Sequence, residues 1–218
     1  VLSLDSSIAT DGFSFEVISA FQEGLVKYDA NDNVVPAVAL DWTISEDGTQ
    51  YTFNLDPNAV WSNGDAVTAN DFVFAWRRLA DPATASEYSI MLQTAHILNA
   101  TAIISGEMTT DKLGVEAVDD KTLLVTLDSS VPYFDKLMTF PSFLPLNEAF
   151  VTAQGASYAT SPETLLSNGP FILTDWVQGS LITTAKNETF VGAANVAIDG
   201  VEWHIIADAQ TLSLEYEQ

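Results

Sequence analysis

The chain reads as a mixed α/β (α+β) protein, on three observations. Tyr51, Phe53 and Leu55 alternate with Thr52, Asn54 and Asp56, the period-2 pattern of a strand with one buried face. Phe72, Val73, Ala75, Trp76 and Leu79 fall at helical spacing soon after. Turn signals such as Asp47-Gly48 and Asp119-Asp120-Lys121 separate short apolar runs in the manner of hairpins. Strands joined locally and interleaved with helices predict this class.

The elements follow in order. Residues 1–10 read as a short extended lead, and Ser14 to Leu25 as a helix. Val17, Ile18, Phe21 and Leu25 form one face of that helix, with Gly24 near its end. Trp42-Thr43-Ile44 and Tyr51 to Leu55 make a hairpin about Asp47-Gly48. Ser62-Asn63-Gly64-Asp65 is a second turn. Thr68 followed by Asp71 has capping-box spacing, with Asp in place of the usual Glu or Gln, and Asp81-Pro82 stops the helix it opens. Ile90 to Ile104 is apolar and helical in part. Gly114 to Val118 and Thr122 to Leu127 form another hairpin. Pro132 suits the first position of a helix carrying Tyr133, Phe134, Leu137 and Met138. Phe171-Ile172-Leu173, Leu181 to Thr184 and Val201 to Ile206 are later strands, and Asp208 is placed to cap a final helix.

Composition narrows the function classes. At 218 residues, 47% hydrophobic and 11% aromatic, the chain has ample material for a core in one large domain or two small ones. No apolar run approaches the roughly 20 residues that span a bilayer. No basic and apolar leader stands at Val1, so an export signal, if the protein has one, lies outside this sequence. Cysteine is absent, which excludes disulfides, thiol catalysis and thiolate metal sites. Thirty acidic against seven basic residues give a net charge of -23. That balance argues against nucleic acid, which needs clustered Lys and Arg, and against an anionic membrane surface. The plain reading of the charge is a strongly solvated surface, and the alternative is a field that favours cationic ligands such as basic peptides.

The most informative stretch runs from Pro36 to Pro82. Within it stand Ala39-Leu40-Asp41-Trp42, Gly48, Tyr51-Thr52-Phe53-Asn54-Leu55, Trp61-Ser62-Asn63-Gly64 and Val67-Thr68-Ala69-Asn70-Asp71-Phe72-Val73. This ordered series resembles the signature of the family 5 extracytoplasmic solute-binding proteins, the dipeptide and oligopeptide receptors of bacterial ABC importers. Leu4-Asp5 and Glu23-Gly24-Leu25 look like further family landmarks, with Ser6 where a Pro usually stands. Residues 81–88, Leu113-Gly114-Val115, Val131-Pro132-Tyr133-Phe134 and Ser167-Asn168-Gly169-Pro170-Phe171 are similar to oligopeptide-receptor segments, in the same order. The resemblance covers essentially the whole chain. Asn63 for the usual Asp, and Asp56 where a basic residue is common, are departures of a structural kind.

The resemblance implies a periplasmic-binding-protein type II-like lobe I with an inserted, mostly antiparallel domain. Residues 1–22 and 148–218 would form the lobe and residues 23–147 the insert. A second lobe would follow beyond the hinge, so the sequence reads as the N-terminal half of a receptor. The implied function is capture of extended oligopeptides by strand addition and their delivery to an ABC transporter permease, by a monomer that is periplasmic or a surface lipoprotein. Peptide-binding positions carried over are Thr10, Asp11, Gly12 and Phe13, with Tyr88 and Phe140 from the insert. Thr-Asp-Gly is also an ordinary turn triplet, and Tyr88 also fits as a structural tyrosine. The same family takes dipeptides, signalling peptides, oligosaccharides, nickel complexes and haem, and an acid-pair hydrolase or a surface adhesin are the readings from other classes.

No cofactor is implied. Asp29-Ala30-Asn31-Asp32-Asn33 opens like a calcium loop, but Val34 takes the glycine position and Leu40 that of the bidentate acid. His96 and His204 are far apart in sequence and read as core or surface residues. Phosphate loops, zinc spacings and nucleophile elbows are absent. Asn99-Ala100-Thr101 and Asn187-Glu188-Thr189 are formal glycosylation sequons.

Overall fold

The structure, a computed structural model, describes residues 3–206. Helix α1 (Gly12–Phe21) is followed by β1 (Val26–Tyr28), β2 (Val34–Pro36), β3 (Ala39–Ile44) and β4 (Gln50–Leu55). Helices α2 (Ala69–Ala80), α3 (Ile90–Thr94) and α4 (Ala100–Ile104) lead to β5 (Val115–Asp119) and β6 (Thr122–Thr126). Short helices α5 (Phe134–Leu137) and α6 (Glu148–Gln154) precede β7 (Phe171–Val177), β8 (Leu181–Lys186) and β9 (Gly200–His204). Among the described residues all strand pairing is antiparallel, in three sheets ordered β1-β2, β3-β4-β6-β5 and β7-β8-β9.

Both predicted hairpins form. Trp42 faces Phe53 and Ile44 faces Tyr51 across β3 and β4, and β5 pairs with β6 around Asp119 to Lys121. Helix α2 packs on β5 and β6 of the four-stranded sheet, and Trp61, Trp76, Phe53, Phe72, Phe134 and Phe143 are fully buried in the core. At its N-terminus the Asp71 carboxylate accepts the Thr68 N–H at 2.7 Å, as the capping spacing predicts, and also the Trp61 indole N–H at 3.2 Å. Burial pushes the Asp71 carboxyl up, while these bonds and nearby Lys121 oppose the shift. The Trp-Ser-x-Gly turn and the helix start are thus one hydrogen-bonded unit, the physical reason for that motif.

Several boundaries differ from expectation. α1 begins at Gly12 because Asp11 is its cap, and ends at Phe21 because Gln22 turns extended. The cause is tertiary: the Gly169 N–H bonds Phe21 O, and the Asn168 amide both accepts Glu23 N–H and donates to Glu23 O. Residues 6–8 form a turn rather than an extended lead. The Ile90–Ile104 stretch is two short helices, broken where His96 and Asn99 adopt left-handed backbone. α5 starts two residues after Pro132, the third sheet's last strand stops at His204, and α6 is an element that periodicity did not flag. Asp208 lies outside the described residues.

Across the third sheet Trp176 pairs with Ile182 and Ile182 with Trp203, a row on one face. α1 packs against β7, and the Trp203 indole donates to Glu16 on α1 at 3.0 Å. Ser167 bonds Ser62 through backbone and hydroxyl. The 167–169 segment therefore ties the end of α1 to the turn that precedes α2.

Candidate ligand-binding face

The N-terminal segment is held by one ion pair. Asp5, 2% exposed, receives both guanidinium nitrogens of Arg78, at 2.8 and 2.6 Å, and the Tyr158 ring lies 5.9 Å from that guanidinium. Asp5 also shapes the chain ahead of α1. Its carboxylate accepts Ser7 N–H, and its carbonyl accepts Ile8 and Ala9 N–H. The Leu4-Asp5 landmark is thus the anchor that fixes where residues 10–13 emerge.

Thr10, Asp11 and Gly12 are exposed, and Phe13 is half-buried against the core. Asp11 accepts the Ser14 N–H at 2.8 Å and its hydroxyl as well. Slight burial works against the Asp11 charge, but these bonds prevail and hold its carboxyl below the usual 3.8. The N–H groups of Thr10, Asp11, Gly12 and Phe13 have no partner among the described residues, a run of four open donors at the positive end of a helix. A Cβ on Gly12 would meet nothing within 4 Å, so the fold itself does not require glycine there.

One turn further along α1, Phe15 meets two aromatic residues from other segments. Its ring centroid lies 5.2 Å from Tyr88 and 5.3 Å from Phe140, and these two lie 5.1 Å apart. Tyr88 is set by a 3-10 turn whose Ser86 hydroxyl accepts its N–H. Phe140 precedes the 3-10 turn Pro141–Phe143. All three rings are half-buried. Tyr88 and Phe140, chosen from sequence, are thus in contact, and Phe15, which was not, joins them to the Thr10–Phe13 segment. Helical periodicity marks Phe15 only as one more apolar residue, so only a resemblance extending that far could have drawn attention to it.

The other candidates stay apart. The Asp29 carboxylate accepts the N–H groups of Asn31 and Asn33 at 2.8 and 2.9 Å, so the calcium-like run is the turn between β1 and β2. Among the described residues no cluster of three His, Asp or Glu could hold a metal. His96 faces Asp128 and Ser129, but both contact the same ring nitrogen, Nδ1, at 2.8 Å. A relay to a nucleophile needs opposite nitrogens. His204 lies beside Glu202 at the end of β9.

The family model described as bacterial extracellular solute-binding proteins, family 5 Middle, matches residues 33–218. The chain belongs to this family. Tyr88 and Phe140 lie within the matched region, and Thr10 to Phe15 precede it. Among family 5 relatives, a probable deoxycholate-binding periplasmic protein of Escherichia coli (strain K12) is 36% identical over 209 residues, 96% of this chain and 39% of that protein. A dipeptide-binding protein of Lactococcus lactis is 36% identical, over 100% of this chain and 40% of its own length. The crystal structure of the substrate-binding domain of an oligopeptide ABC transporter from Bacillus anthracis superposes with a TM-score of 0.96 at 42% identity, covering 100% of this chain and 42% of that one. The chain thus spans about two fifths of the length of these family 5 proteins.

Proposed function

We propose that the protein is the extracytoplasmic substrate-binding component of an ABC importer, capturing extended oligopeptides and delivering them to the membrane permease. The observation that carries this reading is the open-donor run Thr10–Phe13 beside the Phe15–Tyr88–Phe140 cluster. Open backbone donors suit the carbonyls of an extended peptide and are indifferent to its sequence, while an aromatic wall receives a side chain. The names of the Lactococcus and Bacillus proteins support the ligand class. In this reading residues 1–22 and 148–218 are one lobe, residues 23–147 the insert, and a second lobe closes over the peptide. The protein works as a monomer that binds rather than transforms its ligand, in the periplasm or as a surface lipoprotein.

The test is calorimetric titration of a pentapeptide pool into the longest natural form of the protein. Phe140→Ala weakens binding about tenfold, the order expected for losing a buried aromatic contact. Gly12→Ala weakens binding while leaving thermal stability unchanged or raised, because only a ligand would meet the added methyl. Wild-type affinity in both variants would place the peptide elsewhere. One observation favours a second reading, the similarity to the probable deoxycholate-binding protein, since the aromatic cluster could receive a sterol face. The net charge of -23 opposes an anionic ligand, and deoxycholate in the same titration decides between them.

A further inference from the structure

We infer that Asn63–Gly64, in the turn ahead of α2, is a site of spontaneous modification, where the asparagine deamidates through a cyclic imide to aspartate and isoaspartate. Glycine is the following residue that least hinders this ring closure, because it has no side chain beside the attacking nitrogen. The sequence has two Asn-Gly pairs, each within a Ser-Asn-Gly run: Ser62-Asn63-Gly64 and Ser167-Asn168-Gly169. The fold sets the two side by side. Ser62 N–H donates to Ser167 O at 2.7 Å, and Ser167 N–H donates to the Ser62 hydroxyl at 3.1 Å. It protects one and leaves the other open.

Asn168 is 4% exposed, and its amide both accepts Glu23 N–H and donates to Glu23 O. Gly169 N–H donates to Phe21 O, and the glycine packs against the Phe21–Gln22 backbone. Asn168 therefore reacts only when this segment leaves the end of α1. Asn63 and Gly64 are exposed, and a Cβ on Gly64 would meet nothing within 4 Å, so an imide ring has room. The bonds of the Asn63 amide stay within the turn. Its Nδ2 donates to Asp65 Oδ2 at 2.6 Å, and its Oδ1 accepts Asp65 N–H at 3.1 Å, a donor that polarises the amide carbon towards attack. The Gly64 N–H donates to Trp61 O at 2.8 Å, also within the turn, so a local opening at the surface frees it.

In the first step the Gly64 nitrogen bonds to Asn63 Cγ and gives up its proton. The Cγ–Nδ2 bond breaks, and the amide group leaves with a proton as ammonia. Water then opens the ring at either carbonyl. Cleavage at Cγ leaves aspartate, and cleavage at the backbone carbonyl leaves isoaspartate, whose main chain runs on through Cβ and Cγ. Either product adds a negative charge at neutral pH. Aspartate keeps the path of the turn. Isoaspartate draws Gly64 N–H away from Trp61 O, next to an indole that is fully buried and bonded to Asp71 at the start of α2.

The test is ageing of the full chain in warm, mildly alkaline buffer, followed by peptide mapping with mass spectrometry. The Asn63 peptide converts to aspartyl and isoaspartyl forms, and the intact protein gains a more acidic species that Asn63→Gln does not form. Asn168 converts at least about tenfold more slowly, because it waits on a larger opening. In urea both sites are unfolded Ser-Asn-Gly runs, and their rates come together. The purified isoaspartyl form has a lower urea midpoint than Asn63→Asp, which has the same mass and charge. An Asn63 that stays intact, equal rates in the folded protein, or a gap that persists in urea would each overturn the inference. Equal midpoints would overturn its consequence for the turn.

Discussion

Asp11 performs two tasks with one side chain. It caps α1 through Ser14 and leaves the amides on either side of it without a partner among the described residues. Its carboxyl is held below 3.8 in the folded protein, so the cap contributes fully above 3.8 and is lost as the pH falls through the lower folded value. Asp11→Ala therefore costs about 1 kcal/mol at neutral pH, and thermal melts of variant and wild type converge in acid. A gap that persists in acid would mean that charge plays no part in the cap. At this scale the sequence was legible where chemistry is local. Asp5 could be noted as a landmark, but its partner Arg78 stands 73 residues away, and no spacing rule spans that distance. Phe15, Tyr88 and Phe140 likewise converge from three segments.

The elements that were read correctly are those whose ends are set by neighbours in sequence. The β3–β4 and β5–β6 hairpins turn on local turn residues, and α2 starts on its own capping carboxylate. α1 was read too long because its end is set by the 167–169 segment, and the three-residue strands β1 and β2 were missed because they are too short to show alternation. That docking predicts the behaviour of Gly169. A Cβ there would lie 2.9 Å from the Phe21 carbonyl carbon and 3.0 Å from Gln22 N, both backbone atoms that cannot swing aside. Gly169→Ala therefore costs about 1–3 kcal/mol, read as a lower urea midpoint with an unchanged slope. An unchanged midpoint would show that the α1 end is less tightly held than the structure has it.

For the molecule as a whole, fold class and family were legible because a contiguous signature encodes them, whereas the candidate ligand face depends on long-range assembly. The net charge of -23 acts at this scale. If peptides bind as proposed, a Lys-containing pentapeptide loses affinity as salt rises from low to physiological strength, while a neutral aromatic one does not. Equal salt dependence for both would confine the charge to a role in solvation. The pairing of Glu23 with Asn168 has a temporal consequence as well. These residues are 145 positions apart. At about 5–20 residues per second, a ribosome takes roughly 7–30 s to supply the partner. Until then β7 and the 167–169 segment, which hold the end of α1 in the folded protein, do not exist, so this end of the helix stays incompletely packed during synthesis.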